Sequence, residues 1–265
     1  MKKFCLPGTV LLALAAAASV PFALAQRTNV SADSATIAEQ YLLSAANQER
    51  AARGLQQLRR DPELARAAAA HARVMAEHGS ISHQFPGEPE LTDRASSTGV
   101  AFSVIAENVA EAPNAVQIHD MWMHSEHHRD NLLDPSIDSA GISVIARNGE
   151  LYAVEDFAKT VRSVSFREQE SAIASLVASQ GPVSLTTGPD AVSVARETCA
   201  MPTGYAGSRK PWFVMRFTSD SLNRLPDELK TRLASGKYHQ AAVGACANPD
   251  PSPFTSYNFA VLLYP

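Results

Sequence analysis

A β-hairpin pattern near the middle of the chain constrains the fold more than any other feature. Residues 141–147 and 151–157 are rich in β-branched and aromatic side chains, and Asn148-Gly149 between them is a strong signal for a two-residue turn. The patterns that precede this hairpin are helical. Helices followed by antiparallel strands predict an α+β fold.

Two helices are predicted in the first part of the chain. The first covers about residues 36–53, where apolar residues follow helical spacing and Gly54 comes after the last turn. The second has a clear start, because Asp61 can cap the helix and Pro62 suits its first turn. This second helix is expected to end before Gly79.

The later elements are predicted from the same kinds of signal. They are loop at 80–106 with one helical turn at 91–94, a helix at 115–123, a turn at 130–135, helices at 168–179 and 222–235, and strands at 212–218, 238–246 and 257–264. The pattern changes near residue 161, and no internal repeat is visible. The sequence therefore predicts one domain over residues 36–160 and a smaller α+β unit over residues 167–265.

Residues 1–25 have the pattern of a secretory signal peptide. Lys2 and Lys3 precede an apolar run at 10–20, and an Ala-x-Ala cleavage site ends at Ala25. A membrane anchor is the alternative, but the run is short and alanine-rich for a bilayer span. The pattern predicts export to the periplasm or the medium, with no membrane span once the signal peptide is removed.

Charge and cysteine content narrow the partners and the compartment. The formal net charge is −4, and it becomes −6 when Lys2 and Lys3 leave with the signal peptide. A mildly acidic chain without a Lys/Arg cluster argues against nucleic acid and against anionic membrane surfaces as partners. The mature chain keeps Cys199 and Cys246, which predict a disulfide in an exported protein. Two buried thiols are the alternative.

A histidine-rich stretch carries the candidate chemistry. Residues 107–129 contain four of the eight histidines, and Ser82-His83 lies upstream. Two imidazoles and a carboxylate can hold a zinc-like ion, or can act as acid and base without a metal. A histidine-rich surface loop is the alternative. His124 and His128 would share a face if both lay on one helix. Neither an HExxH motif nor a GxSxG elbow is present.

A set of short motifs follows a fixed order along residues 38–159. The set comprises Asn47-x-x-Arg50-x-x-x-Gly54-Leu55, Asp61, Ser82-His83, Glu107-Asn108-Val109, Trp122-Met123-x-Ser125-x-x-His128-Arg129-x-Asn131-Leu132-Leu133, Gly141-Ile142 and Tyr152-x-Val154-x-Asp156-Phe157. In this order the motifs resemble the CAP superfamily, which unites cysteine-rich secretory proteins, insect venom antigens, plant pathogenesis-related proteins and exported bacterial proteins. The resemblance implies an α-β-α sandwich with a central antiparallel sheet.

The resemblance also implies a cleft lined by two histidines and two acidic residues, which binds zinc or another divalent ion in some members. By motif, His83 matches the first histidine, Glu107 the first glutamate and His128 the second histidine. The second glutamate often stands three residues after the tryptophan, where this chain has Ser125. Glu126 is the neighbouring candidate, although a shift of one residue on a helix turns a side chain by about 100°. The expected metal ligands are therefore His83, Glu107 and His128.

These features lead to one main interpretation and two alternatives. The main interpretation is an exported, non-catalytic CAP-domain protein that binds a small apolar or peptide-like ligand in the cleft of His83, Glu107, Ser125, Glu126 and His128, with zinc or another divalent cation as an optional cofactor. The first alternative is a metal-dependent, peptidase-like hydrolase in which Glu107 or Glu126 activates a bound water. The second is a cell-envelope protein that binds its partner through residues 167–265.

Overall fold

Two four-stranded sheets with covering helices make up the described part of the chain. The structure is a computed structural model that describes residues 35–186, 189–248 and 252–265. The predicted signal peptide, residues 1–25, lies outside the described residues. Every helix within the described ranges is too short or too polar to cross a membrane.

The first sheet contains β1 Arg59–Arg60, β2 Phe102–Ala112, β3 Ser139–Arg147 and β4 Glu150–Thr160, in the order β1-β3-β4-β2. The short β1 pairs with β3 in parallel, whereas β3, β4 and β2 are antiparallel. In the turn between β3 and β4, Asn148 has a φ of 54° and Gly149 a φ of 90°. Two positive φ angles are what an Asn-Gly hairpin turn requires. The predicted hairpin is therefore confirmed.

Five helices flank this sheet: α1 Ile37–Ala52, α2 Pro62–His78, α3 Leu91–Ser97, α4 Ala115–His124 and α5 Glu126–Leu133. α1 begins with a capping box, in which Thr36 and Glu39 each accept the other's backbone N–H. α2 begins where Asp61 accepts from the N–H of Leu64, and it ends at Gly79, whose φ is 64°. The start and end predicted for α2 are confirmed.

The helices form layers on both faces of the sheet. α2 lies so close to β3 that a Cβ atom added to Gly141 would come within 2.2 Å of backbone atoms of Leu64 and Ala65. On the opposite face, Ile142 packs with Trp122 of α4. This arrangement is an α-β-α sandwich with a central, mainly antiparallel sheet, so the predicted α+β fold class is confirmed.

Two local predictions in this region are wrong. Residues 80–106 are not loop to their end, because β2 already starts at Phe102. The polar Glu107 and Asn108 interrupt the apolar pattern of this strand, and long-range pairing with β4 stabilises it instead. The turn predicted at 130–135 begins too early, because α5 covers its first residues.

The second sheet contains β5 Ser184–Leu185, β6 Phe213–Ser219, β7 Gln240–Cys246 and β8 Tyr257–Tyr264, in the order β5-β7-β8-β6. Its helices are α6 Phe166–Ser179, α7 Pro189–Ala200 and α8 Asp227–Ala234. A smaller α+β unit thus follows the first, as the sequence predicts. The exact limits of the two domains stay a prediction.

α7 is a helix that the sequence analysis misses. The dipeptide Gly188-Pro189 is a turn signal in the sequence, but Pro189 is the first residue of α7. Proline favours the first turn of a helix as much as it favours a β-turn, so the signal is ambiguous. Near the end of this helix Cys199 forms a disulfide with Cys246, the last residue of β7. The predicted disulfide is confirmed.

Candidate functional site

Glu107 is the centre of the candidate site. It lies on β2 directly opposite Asp156 of β4, and only 6% of its surface is exposed. Its Oε1 atom lies 2.9 Å from His83 Nδ1. Its Oε2 atom accepts a hydrogen bond from Arg94 Nη2 in a buried ion pair. Both carboxylate oxygens are therefore engaged, one by an imidazole and one by a guanidinium.

The loop that carries His83 is held by two further side chains. Arg94 Nη1 donates to the carbonyl oxygen of His83 at 3.3 Å. His71, fully buried on α2, places Nε2 2.7 Å from the carbonyl oxygen of Ser82 and Nδ1 2.7 Å from Glu88 Oε1. These contacts fix the backbone beside His83, so its imidazole is kept against Glu107.

α5 brings His128 to the same edge of the sheet. Asn108, the neighbour of Glu107 on the edge strand β2, donates from Nδ2 to the carbonyl oxygen of His128 at 2.9 Å. Asn131 Nδ2 donates in turn to Asn108 Oδ1 at 3.0 Å and to the carbonyl oxygen of Glu107 at 3.3 Å. The helix that carries His128 is therefore bonded to the strand that carries Glu107.

Arg50 fixes the segment that ends α5. It is fully buried on α1 and donates to four carbonyl oxygens, those of Gln56, Leu132, Asp134 and Ile137, at 2.7–3.3 Å. Three of these acceptors lie at the end of α5 or just beyond it. Arg50 therefore determines where α5, and with it His128, can lie.

Electrostatics distinguishes the two cleft histidines. The hydrogen bond to Glu107 raises the pKa of His83, although burial opposes the shift. Burial lowers the pKa of His128, and the charges of the nearby His83 and His127 lower it further. As the pH falls, His83 is therefore protonated before His128. Over an intermediate pH range the cleft presents one charged and one neutral imidazole.

The other predicted cleft residues lie at the junction of α4 and α5. Ser125 separates the two helices, and its side chain makes no capping hydrogen bond. Glu126 is exposed, and no hydrogen bond or ion pair links it to the rest of the cleft within the described ranges. Because the chain bends at Ser125, His124 and His128 lie on different helices. The condition for a shared helix face, that both histidines lie on one helix, is therefore not met.

Two carboxyl groups on β4 are absent from the predicted site. Glu155 and Asp156 are fully buried, and Glu155 has no hydrogen-bond partner among the described residues. Burial raises the pKa of Glu155 to about 8. Burial and the neighbouring Glu107 carboxylate raise the pKa of Asp156. β4 lies inside the sheet with both faces covered, so adjacent residues are buried on opposite faces, and residue spacing alone does not reveal that.

The arrangement differs from a ready-made metal site. Within the described residues, no group of three His, Cys, Asp or Glu side chains is placed to hold a metal ion. Glu107, the predicted central ligand, is shared between His83 and Arg94. A guanidinium bonded to a carboxylate competes with a cation for the same oxygen atoms. The side chains of His83, Glu107 and His128, as they are arranged here, therefore do not fit a zinc ion. Zinc binding by these residues is an expectation from the family resemblance alone.

Arg94 and Glu88 are the functional side chains that the sequence analysis misses. Arg94 is 13 positions away from Glu107 along the chain, and no short motif joins the two. The available signal is weak: a single arginine and two glutamates, Glu88 and Glu90, in the loop-rich segment that also holds His83. Folding, rather than local spacing, brings them to the site.

The similarity to known proteins covers this same region of the chain. Residues 43–157 match the family model described as CAP, the Cysteine-rich secretory protein family. The uncharacterized protein YkwD of Bacillus subtilis (strain 168) is 31% identical over 127 residues, which cover 46% of this chain and 49% of YkwD. The chain thus spans about half the length of this curated relative.

Two solved structures are similar over a comparable share of the chain. An extracellular protein containing a SCP domain from Bacillus anthracis str. Ames is 27% identical, with a TM-score of 0.43, over 46% of this chain and 40% of that chain. An outer surface protein from Borrelia burgdorferi is 21% identical, with a TM-score of 0.44, over 46% of this chain and 92% of that chain. The family match coincides with the sandwich and with the cleft of Glu107. Residues 43–157 of this chain therefore match the CAP, or cysteine-rich secretory protein, family.

Proposed function

We propose that the CAP domain is a non-catalytic binding domain whose cleft, lined by His83, Glu107 and His128, accepts a small apolar or peptide-like ligand. The observation that carries this proposal is the hydrogen bonding of the Glu107 carboxylate. Its two oxygens are bonded to His83 and Arg94. A carboxylate held in this way positions the imidazole, and it is not free to activate a water molecule.

The exposed groups of the cleft favour a ligand with hydrogen-bond acceptors and an apolar body. The side chain of His83 is 63% exposed, and Glu107 takes its Nδ1, so the Nε2 edge is left for a ligand. When protonated, this edge donates a charge-assisted hydrogen bond to a carbonyl or carboxylate oxygen. Ile81, two residues away in the same loop, is 45% exposed and offers an apolar contact. Peptides combine both kinds of group.

Export is part of the proposal. The disulfide between Cys199 and Cys246 is typical of an oxidising compartment, which agrees with the predicted signal peptide. The similar protein of Bacillus anthracis is itself described as extracellular. The choice between periplasm and medium, and binding of an envelope partner through residues 167–265, stay predictions.

The test is a titration of the full mature protein with N-acetyl-leucyl-phenylalanine amide, followed by calorimetry at pH 6 and pH 8. We expect saturable binding that is tighter at pH 6, because His83 donates from Nε2 when it is charged. His83→Ala and His128→Ala should each weaken binding at least tenfold, about 1.4 kcal/mol. His124→Ala is the matched control, because that histidine is 76% exposed on α4 and should leave binding unchanged.

Three results would overturn the proposal. The first is the absence of saturable binding, and the second is an equal effect of His83→Ala and His124→Ala. The third is hydrolysis of the peptide, detected by mass spectrometry, that requires both added zinc chloride and His83. That third result would establish the metal-dependent hydrolase instead.

A further inference from the structure

We propose that the C-terminal unit repeats the topology of the CAP domain and carries a second binding cavity, at the position equivalent to the Glu107 cleft, for a small apolar carboxylate. The two sites differ in the sign of their central charge. This proposal does not depend on the ligand proposed for the first cleft.

Apart from the short helix α3, which only the first unit has before its longer strand, the order of elements is the same in both units. In the first, a helix, a two-residue strand, a second helix, a longer strand, helical structure and a final pair of antiparallel strands follow one another. α6, β5, α7, β6, α8, β7 and β8 repeat this order. The sheet orders β1-β3-β4-β2 and β5-β7-β8-β6 are also the same, and in each the two-residue edge strand is the parallel one.

Packing details repeat as well. A Cβ atom added to Gly244 of β7 would lie 2.2 Å from Arg196 N on α7, just as one added to Gly141 meets α2 at 2.2 Å. Each unit therefore uses a glycine to let its second helix touch the sheet backbone. A carboxylate from the first helix also bonds the third strand in both units: Glu39 accepts from Val144 N at 3.1 Å and Glu170 from Ala245 N at 3.0 Å.

Gly141 and Gly244 serve as equivalent positions from which the residues of the two sheets can be matched. In the first sheet Gly141, Asp156 and Glu107 lie side by side across three strands. In the second sheet the corresponding row is Gly244, Ala260 and Arg216. Arg216 therefore takes the place of Glu107, and a guanidinium stands where the CAP domain has its central carboxylate.

A cavity of about 580 Å³ lies at this place, which is within the range of small-molecule sites. Its lining includes Arg216 and Thr218 of β6, Asn258 of β8, the segment Ala200–Pro202 at the end of α7, Ala247, and the Cys199–Cys246 disulfide. The loop after α2 carries His83 in the first unit, and here the chain after α7 supplies Met201 and Pro202. The walls are thus mainly apolar.

The polar groups of this cavity indicate an acceptor ligand. Arg216 donates from Nε to the carbonyl oxygen of Thr198 at 2.7 Å and from Nη2 to that of Gly204 at 2.6 Å, and no carboxylate pairs with it among the described residues. Asn258 Oδ1 accepts from the Thr218 hydroxyl, whereas Asn258 Nδ2 has no partner in the described part of the chain. The residues that line the cavity include no Asp or Glu. An apolar cavity with one unpaired positive charge fits an apolar carboxylate.

The test is calorimetric titration of the full mature protein with octanoate, with octylamine and octanol as probes of equal chain length. We expect saturable binding of octanoate, with octylamine and octanol at least tenfold weaker. Ala247→Trp, at an exposed position on the cavity wall, should abolish binding by filling the space. Ala51→Trp, exposed on α1, is the matched control and should bind octanoate like the wild type.

The two cleft proposals can fail separately. His83→Ala should leave octanoate binding unchanged, because His83 belongs to the first unit. The second cavity is excluded if octanoate does not saturate, if all three probes bind alike, or if Ala247→Trp binds octanoate as Ala51→Trp does. Loss of octanoate binding in His83→Ala would assign the ligand to the first cleft and also overturn the proposal.

Discussion

Arg50→Met should lower the free energy of unfolding by about 4 kcal/mol, as measured by urea denaturation followed by circular dichroism. Arg50 is fully buried, and its guanidinium satisfies four carbonyl oxygens. Methionine fills much of the space but leaves these carbonyl groups without a donor, and each unsatisfied buried group costs roughly 1–3 kcal/mol. Since three acceptors lie at the end of α5 or beyond it, the same change should also loosen the helix that carries His128.

Arg53→Met is the matched control for this prediction. Arg53 lies one turn later, with a side chain that is 44% exposed and an ion pair to Glu49. Exposed ion pairs contribute about 0–1 kcal/mol, so the stability should change little. If both variants lost the same stability, Arg50 would not be the anchor of α5 described above.

Gly141→Ala should destabilise the protein by about 3 kcal/mol or more, because the added methyl group would lie 2.2 Å from the backbone of α2. A backbone cannot move aside as a flexible side chain can, so α2 must separate from β3. Since α2 carries His71, which holds the His83 loop, cleft binding should weaken with stability. If the two units share one topology, Gly244→Ala should have a comparable effect through α7.

Gly181→Ala serves as the control for both glycines. Its φ is not in the left-handed region, and an added Cβ atom would meet Leu233 O at 3.3 Å rather than 2.2 Å. We expect a change of no more than about 1 kcal/mol in thermal or urea unfolding. A Gly141→Ala protein as stable as Gly181→Ala would contradict the close contact between α2 and β3.

Local interactions made part of the fold predictable. The Asp61 cap, the Gly79 stop and the Asn148-Gly149 turn each depend on residues within a few positions of one another, so a single sequence shows them. β2 depends instead on pairing with a strand about 50 residues later, which local propensity does not report.

The candidate site was predictable only in outline, through the motif order shared with the CAP superfamily. That order indicates His83, Glu107 and His128 but not Arg94, whose bond to Glu107 changes what the carboxylate can do. The repeat in residues 161–265 is also invisible in the sequence. It is carried by sheet order, by two glycine contacts and by two carboxylate-to-backbone bonds, and these features need few identical residues.

The protonation of His83 tests the central claim, that the side chain of Glu107 is committed to this imidazole. The bonded carboxylate raises the pKa of His83 in the folded protein. The contribution of the His83–Glu107 interaction to folding stability is therefore fully present below the ordinary pKa of 6.5, and it is lost as the pH rises through the folded-state pKa of His83. The measurement is an NMR titration of the histidine side chains in wild-type and Glu107→Gln protein. We predict a pKa above 6.5 for His83 and below 6.5 for His128, with His83 returning toward 6.5 in Glu107→Gln. A His83 pKa at or below 6.5 that Glu107→Gln leaves unchanged would contradict the account.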